Sequence, residues 1–253
     1  MPEPRIGVEV LQGPDALAHH AAQQLVATAA EAVRASGRFT LALSGGNTPR
    51  PLYALLASRE YATALDWART HVCWSDERCV PPDDPASNYR MVREALLDHV
   101  PLPPANIHRI EGEAEPTAAA ARYERELRAL LRTPTGPPAR TPPSRFDLVL
   151  LGLGADGHTA SLFPGLTAVR ERKRWVAAEY VAAMSMWRVT LTPLVINAAA
   201  EVWFLVCGRD KAPMVRSVLD GPSRPEWLPA QAIAPTDGRL RWMLDAGAAE
   251  ELR

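Results

Sequence analysis

The 253-residue sequence predicts an α/β fold, a mainly parallel sheet with helices on both faces. Two observations predict it. Short runs rich in β-branched and aromatic residues alternate along the chain with helical patterns, and several of these runs are continuously apolar, as strands buried on both faces are. A hydrophobic fraction of 47% with 23% charged residues is enough for one sizeable core,.

The elements follow in order. IGVEVL (6–11) reads as the first strand, and residues 15–35 as a helix with Leu17, Ala21, Leu25 and Ala29 on one stripe,. FTLAL (39–43) is the second strand, followed by a short helix over 49–57. HVCWS (71–75) is next, then helical patterns over 87–100 and 116–131,. FDLVLLG (146–152), RWVAAEYV (174–181), WRVTLT (187–192) and VWFLVC (202–207) are further strands,. A helix over 211–219 and the strand LRWML (240–244) complete the pattern, which reads as one domain over 1–253. Proline, at 24 residues roughly twice average usage, is densest in TPTGPPARTPPSR, so residues 133–145 are expected to form an exposed surface loop,.

Charge and length exclude several classes. With 28 Lys+Arg against 29 Asp+Glu, the chain lacks the basic footprint of a nucleic-acid or anionic-membrane binder,. Its longest apolar runs fall far short of the roughly 20 residues of a membrane helix, and its start has no continuous apolar core of an export signal. Three cysteines, Cys73, Cys79 and Cys207, match no paired spacing and read as reduced thiols, so a cytoplasmic location is expected,.

In such folds ligands sit beyond the carboxyl ends of the strands, so chemistry is sought in the loops that follow them. SGGNTP (44–49) follows a strand at once. Gly45 and Gly46 let the backbone approach a ligand, Thr48 is a good helix cap and Pro49 a favoured first helical residue, so Ser44, Gly45, Gly46, Asn47 and Thr48 form a candidate anion cradle,. The alternative is an ordinary capped turn. SDER (75–78) closes the next strand with three charges, and Arg78 could pair with Asp76 or Glu77 or reach a substrate oxygen,. His71 and Cys73 share a strand face without companion ligands, which points to packing rather than metal,.

LGLGADGHTASLFPG (151–165) contains a formal GxGxxG at Gly152, Gly154 and Gly157, with Glu179 at the end of a later strand,. A dinucleotide is nevertheless disfavoured. Asp156 would place a carboxylate where a pyrophosphate belongs, and Pro164-Gly165 halts the following helix at once,. The glycines instead hold Asp156 and His158 at the mouth of the sheet, with His158 as general-base candidate. Lys211 at a helix start and Arg188 in WRVTLT are the basic residues that could complete an anion site.

Together, SGGNTP, SDER with VPPDDPASNY (80–89), GLGADGHTASLFPG, RVTLT and GRDKA resemble, in order and spacing, the 6-phosphogluconolactonase members of the glucosamine-6-phosphate isomerase/6-phosphogluconolactonase family. The resemblance covers nearly the whole chain, and DGHTASLFPG is its most specific part. It implies a Rossmann-like fold of the deaminase and ribose-phosphate isomerase type, a monomer, no metal and no cofactor. It further implies hydrolysis of 6-phospho-D-glucono-1,5-lactone in the oxidative pentose phosphate pathway. Carried onto this sequence, His158, Asp156 and Arg78 are the catalytic candidates, with Arg78 either stabilising developing charge or steering Asp156. Ser44 to Thr48, Lys211 and Arg188 are the candidates for the substrate phosphate. An amino-sugar phosphate deaminase, a non-catalytic phosphosugar sensor and a dinucleotide oxidoreductase are the competing readings.

Overall fold

A computed structural model describes residues 5–132 and 145–252. The Pro-rich stretch therefore lies outside the described residues, except for Arg145. The strands are β1 (Arg5–Leu11), β2 (Phe39–Leu43), β3 (Thr70–Trp74), β4 (Asp76–Arg78), β5 (Ile107–His108), β6 (Leu148–Leu151), β7 (Val176–Val181), β8 (Met186–Leu191), β9 (Glu201–Val206) and β10 (Arg239–Asp245). The helices are α1 (Pro14–Ser36), α2 (Arg50–Leu56), α3 (Asn88–Ala95), α4 (Pro116–Leu130), α5 (Pro193–Ile196) and α6 (Ala212–Leu219), joined by short 3-10 turns.

Seven strands form one sheet in the order β1-β10-β9-β6-β2-β3-β5, and every pairing within it is parallel. From β2 the chain runs outward through β3 to β5, then returns to place β6 on the other flank of β2. The loops that leave β2 and β6 thus diverge at a topological switch point, the crevice where such sheets bind ligands.

Two expected strands belong elsewhere. Residues 174–181 and 187–192 are strands as read, but β7 and β8 form a separate antiparallel sheet with β4, in the order β4-β8-β7. Apolar content identifies a strand; which sheet it joins depends on contacts far along the chain. Ser75 links the two sheets, since its N–H donates to the Leu43 carbonyl and its own carbonyl accepts from Leu191 N–H. The small sheet consequently stands at the carboxyl end of β3.

The core follows from these pairings. The fully apolar strands β2, β6 and β9 are buried along their length, and Phe204 stacks on Trp242 with ring centroids 3.9 Å apart. Burying each such side chain contributes about 1.5–3 kcal/mol. Helix α1 starts with Pro14 at its first turn and ends at Gly37, whose φ of 81° lets its N–H cap the Val33 carbonyl,. It covers β2 and β10, while α4 covers β7 and β8. Among the described residues no helix is long and apolar enough to cross a membrane.

Candidate active site

The β6–158 turn carries the sharpest constellation. Its backbone closes through Gly154 N–H to the His158 carbonyl (2.8 Å) and Gly157 N–H to the Gly154 carbonyl (3.1 Å). This folds Asp156 back on His158, whose Nδ1 lies 2.5 Å from Asp156 Oδ1 while its backbone N–H donates to the same oxygen at 3.1 Å. A Cβ at position 154 would lie 2.0 Å from His158 Nδ1, so only glycine admits the pair,. Phe163 stacks on the imidazole with centroids 4.3 Å apart. With Nδ1 on the carboxylate and one ring face covered, Nε2 is the nitrogen left for a reactant.

Burial pushes the Asp156 carboxyl up, but the hydrogen bond and charge of His158, with backbone N–H groups, outweigh it and hold the group below the usual carboxylate range,. Asp156 is therefore an anion at neutral pH, which favours the imidazole tautomer with its proton on Nδ1 and a lone pair on Nε2.

The SDER strand lies beside this turn. Ser161 Oγ donates to Asp76 Oδ2 at 2.6 Å, and Ser161 N–H donates to Thr190 Oγ1 at 3.1 Å. Asn88 Nδ2 donates to Asp76 Oδ1 at 3.1 Å and to the Asp76 carbonyl at 2.9 Å. Glu77 accepts the N–H groups of Arg78, Asn88 and Tyr89 and the Ser87 hydroxyl. Among the described residues neither carboxylate pairs with a cation; both organise loops. The Arg78 guanidinium donates to the Ala86 carbonyl at 2.5 Å, while the side-chain partner of Asp156 is His158.

Arg78 and Arg188 stand directly opposite in the β4–β8 ladder. Alternation puts them on the same face as Asp76 and Thr190, two residues away on their strands, and so toward the turn that carries His158. The Nε of each is buried without a hydrogen-bond partner among the described residues. Burial first, then the charge of Arg78, lowers the pKa of Arg188. A buried and a half-buried cation side by side, each with an unfilled Nε donor, suit a bound anion,. Cys79 next to them is pushed up to about 11 by burial and then by the charge of Glu77, which keeps it a neutral thiol at neutral pH,.

The Ser44 to Thr48 turn leaves β2 across the crevice. Tyr53 from α2 fixes it, its hydroxyl donating to the Ser44 carbonyl (2.8 Å) and accepting from Ser44 N–H (3.2 Å). Ser44 Oγ is buried and has no partner among the described residues. The expected Thr48 cap is not present: α2 starts at Arg50, Pro49 stands at the capping position, and no side chain caps it. Lys211 takes the capping position of α6 as expected, in the loop after β9. The same helix meets the His158 turn, where a Cβ on Gly157 would lie 3.2 Å from Met214 Sδ. Asp245 holds the Lys211 loop by accepting Gly208 N–H and Ala248 N–H. Glu179, the acidic residue of the dinucleotide pattern, is engaged by Thr167 Oγ1 and Ala168 N–H, both at 2.6 Å.

Sequence reasoning missed Asn88, Ser161, Tyr53 and Asp245 as organisers. Asn88 and Ser161 lay inside quoted motifs, yet only the fold reveals that both meet Asp76.

A family model described as glucosamine-6-phosphate isomerases/6-phosphogluconolactonase matches residues 12–242. The chain belongs to this family. Among the family's members, a 6-phosphogluconolactonase of Nostoc is 40% identical over 97% of this chain and 98% of its own. One from Synechocystis is 41% identical over the same shares. The structure of the Trypanosoma brucei 6-phosphogluconolactonase superposes with a TM-score of 0.84 at 31% identity, covering 99% of this chain and 100% of that one. A monomeric glucosamine-6-phosphate deaminase superposes at 0.79 with 22% identity, which shows that the family fold is shared.

Proposed function

We propose that the protein hydrolyses 6-phospho-D-glucono-1,5-lactone to 6-phospho-D-gluconate, the lactone-opening step of the oxidative pentose phosphate pathway. The observation that carries the reading is the His158–Asp156 pair, with Nδ1 held at 2.5 Å from a carboxylate and Nε2 left for water. A lactone is an internal ester, so its opening needs an activated water, a counter-charge for the oxyanion at C1 and a proton for the departing ring oxygen. His158 Nε2 removes a proton from the attacking water as the C1–O bond to water forms. The tetrahedral oxyanion collapses, the bond from C1 to the ring oxygen breaks, and the proton on Nε2 passes to that oxygen. Asp156 keeps the imidazole in the competent tautomer and stabilises the imidazolium between these two transfers.

The substrate's remote phosphate anchors it. Arg188, the Ser44, Gly45, Gly46, Asn47, Thr48 turn and Lys211 bind this group, and the unfilled donors of Arg188 and Ser44 support the assignment. Arg78, beside Arg188 and bonded to the Ala86 carbonyl rather than to Asp156, contributes charge directly to the bound anion. Binding energy from the phosphate then positions C1 over Nε2.

The test is the decay of freshly generated lactone with and without the protein, because the lactone opens spontaneously and only the excess rate is informative. The excess rate should fall about 10²-fold or more in His158→Ala with the fold intact. No excess rate at micromolar protein would overturn the reading, and release of ammonia from glucosamine 6-phosphate would transfer it to the other activity in the family's description.

A further inference from the structure

Among the groups at the site, Arg188 has an unusual partner. Its Nη2 donates to the thioether sulfur of Met184 at 3.0 Å. Its Nε is buried and unpartnered among the described residues. The carboxylates nearest in the ladder, Asp76 and Glu77, are occupied by Asn88, Ser161, Ser87 and backbone N–H groups. A thioether is a weak acceptor, so this contact orients the guanidinium while leaving its charge available.

Met184 is also open to solvent. It closes the 3-10 turn Ala182–Met184 of the β7–β8 hairpin, just before Ser185, whose φ is 48°. It is 44% exposed, whereas Met243 is buried and Met91, Met186 and Met214 are half-buried. One solvent-exposed methionine therefore rests its sulfur on an arginine of the site.

We propose that Met184 is an oxidation site that controls substrate affinity: conversion of its thioether to the sulfoxide by hydrogen peroxide ties up Arg188 and weakens binding of the phosphorylated lactone. The sulfur lone pair attacks one peroxide oxygen, an S–O bond forms and the O–O bond breaks. Sulfur is oxidised by two electrons. Hydroxide leaves, takes the proton remaining on the transferred oxygen and becomes water. The new S=O oxygen is a much stronger acceptor than sulfur and is carried on the atom that already touches the guanidinium,. It competes with phosphate oxygens for the same N–H groups. This inference rests on the reading of Arg188 as a phosphate ligand.

The test uses the full-length protein treated with hydrogen peroxide and then with dithiothreitol, which reverses cysteine sulfenic acids and disulfides but not methionine sulfoxide. Peptide mass spectrometry locates the added oxygen. Oxidation at Met184 should raise KM about tenfold or more with kcat changed less than twofold, the scale of one charge-assisted hydrogen bond. A methionine sulfoxide reductase should restore KM. Met184→Leu, compared with its own untreated rate, should show no KM response to peroxide. Met184→Gln, which carries a permanent amide oxygen, should show a raised KM without peroxide. A peroxide response in Met184→Leu equal to that of the parent, or a parent whose KM ignores oxidation confirmed at Met184, would overturn the proposal. Arg188→Ala separates the two readings. An unchanged KM there sinks the phosphate assignment itself, while a raised KM combined with an indifferent oxidised parent sinks only the role of Met184.

Discussion

The carboxamide of Asn88 occupies the space that a side chain at Gly45 would need: a Cβ there would stand 1.8 Å from Asn88 Oδ1. Asn88 is in turn bonded to Asp76, and Asp76 to Ser161 of the catalytic turn. The turn after β2, the SDER strand and the His158 turn are therefore one mechanical unit, although they are separated by long stretches of chain.

Gly45→Ala should disturb this unit at its tightest point. Asn88 must move and give up its bonds to Asp76. Overpacking of this kind costs about 1–3 kcal/mol, so thermal unfolding should shift down by roughly 2–12 °C, at about 2–4 °C per kcal/mol for a chain of this size. KM should rise as well, because Gly45 belongs to the proposed phosphate turn. An unchanged melting temperature would show that the turn is less constrained than its contacts indicate.

Asp156→Asn retains shape but removes the anion that sets the His158 tautomer. Turnover should fall about 10²-fold or more with KM little altered, read in the lactone assay. The folded carboxyl sits below its ordinary value, so the ionised form stabilises the fold above that ordinary value, and the contribution is lost as pH falls through the lower, folded value,. The stability difference between parent and Asp156→Asn should accordingly be flat from pH 8 to about 5 and shrink below about pH 4 in urea unfolding. A difference that instead grows on acidification would contradict an ionised Asp156.

Asp76 and Ser161 should be energetically coupled. Asp76→Ala and Ser161→Ala each remove the buried bond of 2.6 Å, and each should cost about 1–3 kcal/mol,. In a double-mutant cycle the pair should show a coupling of about 0.5–3 kcal/mol, measured by chemical denaturation. Strict additivity would mean that the loops are held together by other contacts.

Glu77 should give stability a slope in the opposite direction from Asp156. Burial raises its pKa despite the N–H groups of Tyr89, Asn88 and Arg78 and is reinforced by the charge of Asp76. The folded form thus holds a proton that the unfolded chain has released. Stability should fall as pH rises from about 4.5 through the raised folded value. Glu77→Gln should lack this slope, while being less stable overall by about 1–3 kcal/mol because an amide cannot accept all four donors. A parallel pH profile for parent and variant would count against it.

Much of the fold was legible because it is written locally. Continuous apolar runs marked β2, β6 and β9, and the leucine and alanine stripe marked α1, since burial on two faces or one leaves a pattern within a few residues. His158 and Asp156 were legible for a related reason: they are two residues apart on a glycine turn, so their contact is encoded within the loop itself. Thr48 was misread because capping depends on where the helix starts, and that start falls one residue later, with Pro49 at the capping position. The assignment of β7 and β8 to their own sheet was illegible, as strand partners are chosen by long-range hydrogen bonds and shared core contacts.

The sequence by itself determined the alternation of elements, the glycine turns at the strand ends and the pairing of a histidine with the carboxylate beside it. Each follows from short-range sterics and from the two periodicities of helix and strand. Only the tertiary structure decided that Arg78 faces Arg188, that Met184 rests on Arg188, and that Asp76 joins Asn88 to Ser161. The pairing of Arg78 with Arg188 joins residues 110 positions apart and that of Asp76 with Ser161 residues 85 apart, separations at which chain connectivity places no residue-level constraint, while the Met184–Arg188 contact needs the turn of the β7–β8 hairpin. The crossover that sets β6 beside β2 and the docking of the small sheet on β3 bring them together.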